Sequence, residues 1–174
     1  ELRWARSATR CAVRLVNMRD QNDFEVVSMI RNTRRIAHIG IAVSDLADSL
    51  RLYQDALGLE LHGRETVEKD KVNVAFLPVG DTEIELLEAS DPDSPVAKFI
   101  EKHGEGIHHI AIEVTDIESS LDTLRTQGFR LIDETPRIGA GGARVAFVHP
   151  KSTGGVLLEL CEPAKDAYPD IEKL

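Results

Sequence analysis

Two stretches of this chain are near-copies of each other: Ala37-His38-Ile39-Gly40-Ile41-Ala42-Val43 and His108-His109-Ile110-Ala111-Ile112-Glu113-Val114. Aligning His38 with His109 sets an offset of 71 residues, and the same offset places Asp45-Leu46 on Asp116-Ile117 and Ser49-Leu50 on Ser120-Leu121. A later pair also repeats: Gly80–Leu86 matches Gly154–Leu160, with Glu85 over Glu159 at an offset of 74. A chain built twice from one unit must place the two units against each other, and residues equivalent in the repeat become equivalent in space.

The unit itself is readable. Residues 35–43 alternate in β-branched and small side chains and read as a strand. Ser44 or Asp45 can cap a helix carrying Leu46, Leu50, Tyr53 and Leu57 at helical spacing, closed by Gly58. Strands are expected over 59–65, 71–77 and 82–88. A turn-rich linker at 90–95 and a short helix at 96–103 lead to the second copy. There a strand over 108–114 is followed by a helix from Thr115 or Asp116 to Gly128, with Ile117, Leu121 and Leu124 on one face. Strands are expected over 129–133, 144–149 and 156–161, with a glycine-rich loop at 136–142.

The fold class is thus α+β: two βαβββ modules, 34–89 and 105–162, within one domain of residues 34–163. One such module cannot close a core alone, whereas two can curve a mixed sheet around a shared cleft. Residues 164–174 form a polar tail. Residues 1–33 belong to neither copy. Their first 19 residues hold five arginines and a single acid, which fits an organelle presequence, a cloning scar or translation from upstream of the true start, with Met29 as a sensible initiator.

A length of 174 residues and a hydrophobic fraction of 42% suit one small domain with an ordinary core. The formal charge of −9 disfavours nucleic acid and anionic membrane as partners. No apolar run approaches the roughly 18 residues of a membrane span. Two cysteines, Cys11 and Cys161, give no disulfide framework. The expected location is therefore cytoplasmic, with the mitochondrial matrix as the alternative.

Four residues carry the chemistry. His38 and His109 enter equivalent strands beside small residues, which leaves space above them. Glu85 and Glu159 sit in strands between apolar neighbours, and a lone buried carboxylate is costly. Taken singly, each reads as an ordinary surface or hydrogen-bonded residue. Taken together, the repeat brings two imidazoles and two carboxylates to one centre, where a divalent cation relieves the acids. Such ligands suit Co, Ni, Zn, Fe or Mn, and leave two octahedral positions open. His108 is expected to point to the opposite face, and His62, His103 and His149 carry no assigned role.

These modules, with His38, Glu85, His109 and Glu159, resemble the vicinal oxygen chelate superfamily, which includes glyoxalase I and extradiol dioxygenases. Ile39–Val43, Asp93–Ala97, Gly106–Ala111 and His149–Ser152 running into Gly154–Leu160 are similar to the methylmalonyl-CoA epimerase family. The resemblance covers 35–162. It implies a glyoxalase-like fold, one divalent metal with Co2+ first and Mn2+, Ni2+ or Zn2+ as alternatives, methylmalonyl-CoA as substrate, and a homodimer. It implies proton abstraction at C2, with Glu159 both ligand and acid–base. Some members carry a glutamate, proposed as a base, in the strand expected over 71–77, and the position aligned with it here is Asn73. Arg144, Lys151 and the loop Gly139–Gly142 are candidates for the coenzyme A phosphates. The competing readings are glyoxalase I-type lactoylglutathione lyase chemistry, a dioxygenase, and a metal-free binding protein of the same fold.

Overall fold

The computed structural model describes residues 32–164. The N-terminal stretch 1–31 and the tail from 165 onward, including the presequence question, lie outside the described residues.

Strand β1 spans Thr33–Val43 and leads into helix α1, Leu46–Leu50, which widens into a π-helical turn over Arg51–Ala56. Strands β2 (Gly63–Val67), β3 (Val72–Val79) and β4 (Thr82–Ala89) complete the first module, and helix α2 (Pro95–His103) connects it to the second. There β5 (Gly106–Val114) precedes helix α3 (Ile117–Thr126), β6 (Arg137–Ile138), β7 (Arg144–Val148) and β8 (Leu158–Glu162). One eight-stranded sheet results, in the order β2-β3-β4-β1-β5-β8-β7-β6. The order is symmetric about the β1–β5 seam, so the repeat in sequence becomes a pseudo-two-fold axis through the sheet.

The two helices begin in the same way. Asp45 and Asp116 each accept the N–H three residues on, at 2.9 Å, and the hydroxyls of Ser49 and Ser120 donate back to the carbonyls of Asp45 and Asp116 at 2.8 Å. A second pair of glutamates, Glu88 at the end of β4 and Glu162 at the end of β8, accepts the N–H of Leu46 and Ile117 at 3.0 Å. Each helix is thereby tied to the last strand of its own module, satisfying N–H groups that the helix cannot. Leu46, Leu50, Ala75, Leu77 and Leu86 form the core under α1. Ile117, Leu121, Ala146, Val148 and Leu160 form its counterpart under α3. The other face of the sheet is left for the cleft.

Three expected elements differ. The first helix was expected to continue through Leu57 with one apolar face. The π turn adds a residue, and Leu57 rotates out to 61% exposure. The strand expected at 59–65 pairs only from Gly63, where its ladder with β3 begins. Residues 129–133 form no strand. They make one bridge, Leu131 to Val148, and the edge strand of the second module is instead Arg137–Ile138.

Candidate active site

The β1–β5 pairing aims the histidines. Its register runs His38↔Ala111, Ile39↔Ile110, Gly40↔His109 and then Ile41↔Ile107, skipping His108. It also runs Ile36↔Ile112 and His38↔Ala111, skipping Ala37. These are two β-bulges at equivalent positions of the repeat, and a bulge re-aims the side chains around it. His38 and His109 turn toward each other across the seam, their Nε2 atoms 3.1 Å apart. The space for His109 comes from Gly40: a Cβ there would lie 2.3 Å from its Cε1.

The carboxylates arrive from the parallel neighbours. Gly40 pairs with Glu85 on β4, and Ala111 with Glu159 on β8. Glu85 Oε1 lies 3.3 Å from His38 Nδ1, while Glu159 Oε2 lies 3.2 Å from His109 Nε2 and 3.7 Å from His38 Nε2. All four side chains are buried. Burial works against charge on His38, but its hydrogen bond with Glu159 and the charges of Glu85 and Glu159 outweigh this and raise its pKa to about 8. Burial pushes Glu85 up to about 7. It also depresses His109 well below the usual imidazole value, helped by the neighbouring His38 charge.

Crowding two acids and two imidazoles into a buried centre is the arrangement a divalent cation satisfies. Two nitrogens bound at right angles to one ion at ~2.1 Å would stand ~3.0 Å apart, close to the separation here. Ligand atoms of His38, Glu85 and His109 lie within 4.8 Å of one another. Imidazole and carboxylate donors fit a borderline divalent ion.

His108 departs from expectation. The bulge keeps it from the opposite face, and its Nδ1 lies 2.9 Å from Nδ1 of His109. A neutral His109 that ligates through Nε2 carries its proton on Nδ1 and donates it to His108. Phe99 of α2 meets the His108 ring edge-on at 5.0 Å, and Phe147 meets His109 at 5.5 Å. The repeat held a signal for this: the position equivalent to His108 is Ala37.

The centre lies in a cleft of about 660 Å³ that reaches from Val72, Val74 and Phe76 on β3 to Arg137 and Phe147. Asn73 is not a cleft residue. Its side chain bonds Thr66 at 2.9 Å and Glu88 at 3.1 Å, and its neighbours Val72 and Val74 face the cleft instead. Strand alternation therefore keeps a side chain at position 73 from serving as the second acid–base group. Arg137 bonds Asp70 at 2.7 Å, and Glu65 accepts the Gly141 N–H at 2.8 Å. These contacts join the outer edges of the two modules across the cleft. Arg144 is paired with Glu118 and, at 3.3 Å, with Glu162. Lys151 is exposed on a 3-10 turn whose backbone is held by His149.

Residues 37–147 match the Glyoxalase/Bleomycin resistance protein/Dioxygenase superfamily. The chain is 38% identical over 137 residues to the mitochondrial methylmalonyl-CoA epimerase of Homo sapiens, covering 78% of each. It belongs to the methylmalonyl-CoA epimerase family of that superfamily. A second family member, the ethylmalonyl-CoA/methylmalonyl-CoA epimerase of Cereibacter sphaeroides, is 41% identical over 128 residues, covering 72% of this chain and 96% of that one. A solved methylmalonyl-CoA epimerase in complex with methylmalonyl-CoA and NH4+ superposes with a TM-score of 0.73 at 38% identity. That match covers 79% of this chain and 99% of the other. The fold shared by the family is the glyoxalase-like one expected from the repeat.

Proposed function

We propose that this protein interconverts the epimers of methylmalonyl-CoA. The observation that carries the reading is the buried centre of His38, Glu85, His109 and Glu159 at the seam of two modules, in a chain whose relatives act on this substrate. The four side chains hold one divalent ion, with Co2+ favoured and Mn2+, Ni2+ or Zn2+ as alternatives.

The C2 proton of the substrate lies between a thioester and a carboxylate, and its removal makes an enolate. A bound divalent ion supplies electrostatic stabilisation of that developing charge. Glu159 takes or returns the proton on one face, worth about 10²–10⁴ in rate for a well-placed acid–base group. Inversion requires delivery to the other face, and Glu85, which comes from the opposite module and lines the same cleft, is the candidate for it. Burial of the centre excludes water that would compete for the enolate. For the coenzyme A phosphates Lys151 and Arg144 are the candidate cations, and Lys151 is favoured because Arg144 is occupied by Glu118 and Glu162. We further infer a homodimer working in the cytoplasm, or in the mitochondrial matrix.

Proton NMR of methylmalonyl-CoA in D2O tests the reading. Loss of the C2 proton signal with metal-loaded protein, and not after chelation, is expected. Absence of exchange across a series of divalent metals refutes it, and turnover of methylglyoxal plus glutathione would then point to lactoylglutathione lyase chemistry.

A further inference from the structure

The cleft face of the two final strands breaks the symmetry of the repeat. On β4 it presents Glu83, Glu85 and Leu87, and at the equivalent places Leu157, just before β8, and Glu159 and Cys161 within it. Where the first module has an inert leucine, the second has a thiol. Cys161 is unoxidised, only 7% exposed, and directed into the same cleft as the four ligands two residues from Glu159. Ligand atoms of His38, Glu159 and Cys161 all lie within 4.8 Å of one another. This is a second set of donors that shares His38 with the group His38, Glu85 and His109.

We propose that Cys161 gives the centre a second metal-binding mode, His38–Glu159–Cys161, that captures thiophilic divalent ions such as Cd2+ and Zn2+. The reasoning is one of ligand softness. Imidazole and carboxylate serve borderline ions about equally, whereas a thiolate discriminates strongly in favour of soft ones. One nitrogen, one oxygen and one sulfur with a fourth position open is a tetrahedral set, which Zn2+ and Cd2+ accept readily. Binding replaces the thiol proton: the S–H bond breaks, a metal–sulfur bond forms, and the proton leaves to solvent. An ion held this way takes two of its three ligands from β8, and neither Glu85 nor His109 belongs to that set. Soft ions therefore occupy the centre without completing the set used by Co2+. The inference rests on the metal-site reading above and on no feature of the substrate.

The test is a Cd2+ titration of full-length, metal-stripped protein, followed by the ultraviolet sulfur-to-cadmium charge-transfer band. A Cys11→Ser background keeps the other thiol from contributing. The band is expected to rise to one equivalent and to be absent in Cys161→Ser and Cys161→Ala, with Cd2+ affinity falling at least tenfold. Co2+ affinity, read calorimetrically, is expected to change less than threefold in both variants, which also reports that they fold. Cd2+ binding without the band, or a band that survives both substitutions, overturns the second mode while leaving the His–Glu centre intact. Failure of the parent to bind either ion overturns the metal-site reading as well.

Discussion

Gly40→Ala is the smallest perturbation that should dismantle the centre. The Cβ it adds would stand 2.3, 2.6 and 2.8 Å from Cε1, Nδ1 and Nε2 of His109. To restore an ordinary carbon–carbon separation of ~3.5 Å, the ring must retreat by about 1 Å. Ligand positions in metal sites tolerate only ~0.2 Å, so His109 leaves the coordination shell. Outer-shell substitutions that merely tilt a ligand typically cost 10–100-fold in metal affinity, and removal of a whole ligand should cost at least about 100-fold on that scale. The stability cost of forcing one methyl into a packed strand is about 1–3 kcal/mol. Calorimetric titration with Co2+ measures the first quantity and thermal unfolding of the chelated protein the second. The pseudo-symmetric control is Ala111→Gly, which removes the methyl facing His38 and should leave Co2+ affinity within a few-fold. Wild-type Co2+ affinity in Gly40→Ala, with a folded chain, would refute the claim that this contact sets the position of His109.

Further outcomes are expected from the same geometry. Glu159→Gln should slow C2 proton exchange by about 10²–10⁴, read by deuterium incorporation at saturating metal. His108→Phe removes the acceptor of the His109 Nδ1 proton and should weaken Co2+ binding about 10–100-fold, measured by calorimetry. The chelated protein should lose stability as pH rises from about 6 to about 8. His38 at about 8 and Glu85 at about 7 are both raised above their unfolded values, so their contribution is complete at low pH and lost as pH climbs through those values. A flat melting temperature of chelated protein between pH 6 and about 9 would contradict this. Arg144→Ala should change the KM for methylmalonyl-CoA less than threefold and leave the melting temperature nearly unchanged, since an exposed ion pair contributes little.

Much of this was legible in the sequence because a repeat carries three-dimensional information. Equivalence of His38 with His109 and of Glu85 with Glu159 implied one centre before any strand was paired. Asp45 and Asp116 announced two helix starts, and both cap as their spacing requires. Simple alternation failed where the backbone is not a simple strand. The bulge at His108 lies in the pairing between distant strands, so counting residues along β5 assigned it to the wrong face. That Asn73 faces away from the cleft follows from the ladder of β3 with β2 and β4, which local propensity does not reveal. The strand expected at 129–133 has suitable residues and lies along β7, but Arg130 N–H is taken by the Ser152 hydroxyl and the Ile132 and Asp133 N–H groups converge on the single carbonyl of Phe147, so the contact stays one bridge at Leu131 rather than a ladder. The pair Glu88 and Glu162, by contrast, follows the same offset as Glu85 and Glu159 and was there to be read.

The donors are divided evenly across the seam: His38 and Glu85 belong to one module, His109 and Glu159 to the other. An ion held by all four is a rivet between two halves that are also joined by the β1–β5 ladder, the Arg35–Glu113 ion pair, the bond from Ser44 N–H to Glu105 and the edge contacts Arg137–Asp70 and Glu65–Gly141. Cohesion of the halves and affinity for the ion are then one quantity approached from two directions, and whatever pries the halves apart loosens the ion by the same free energy.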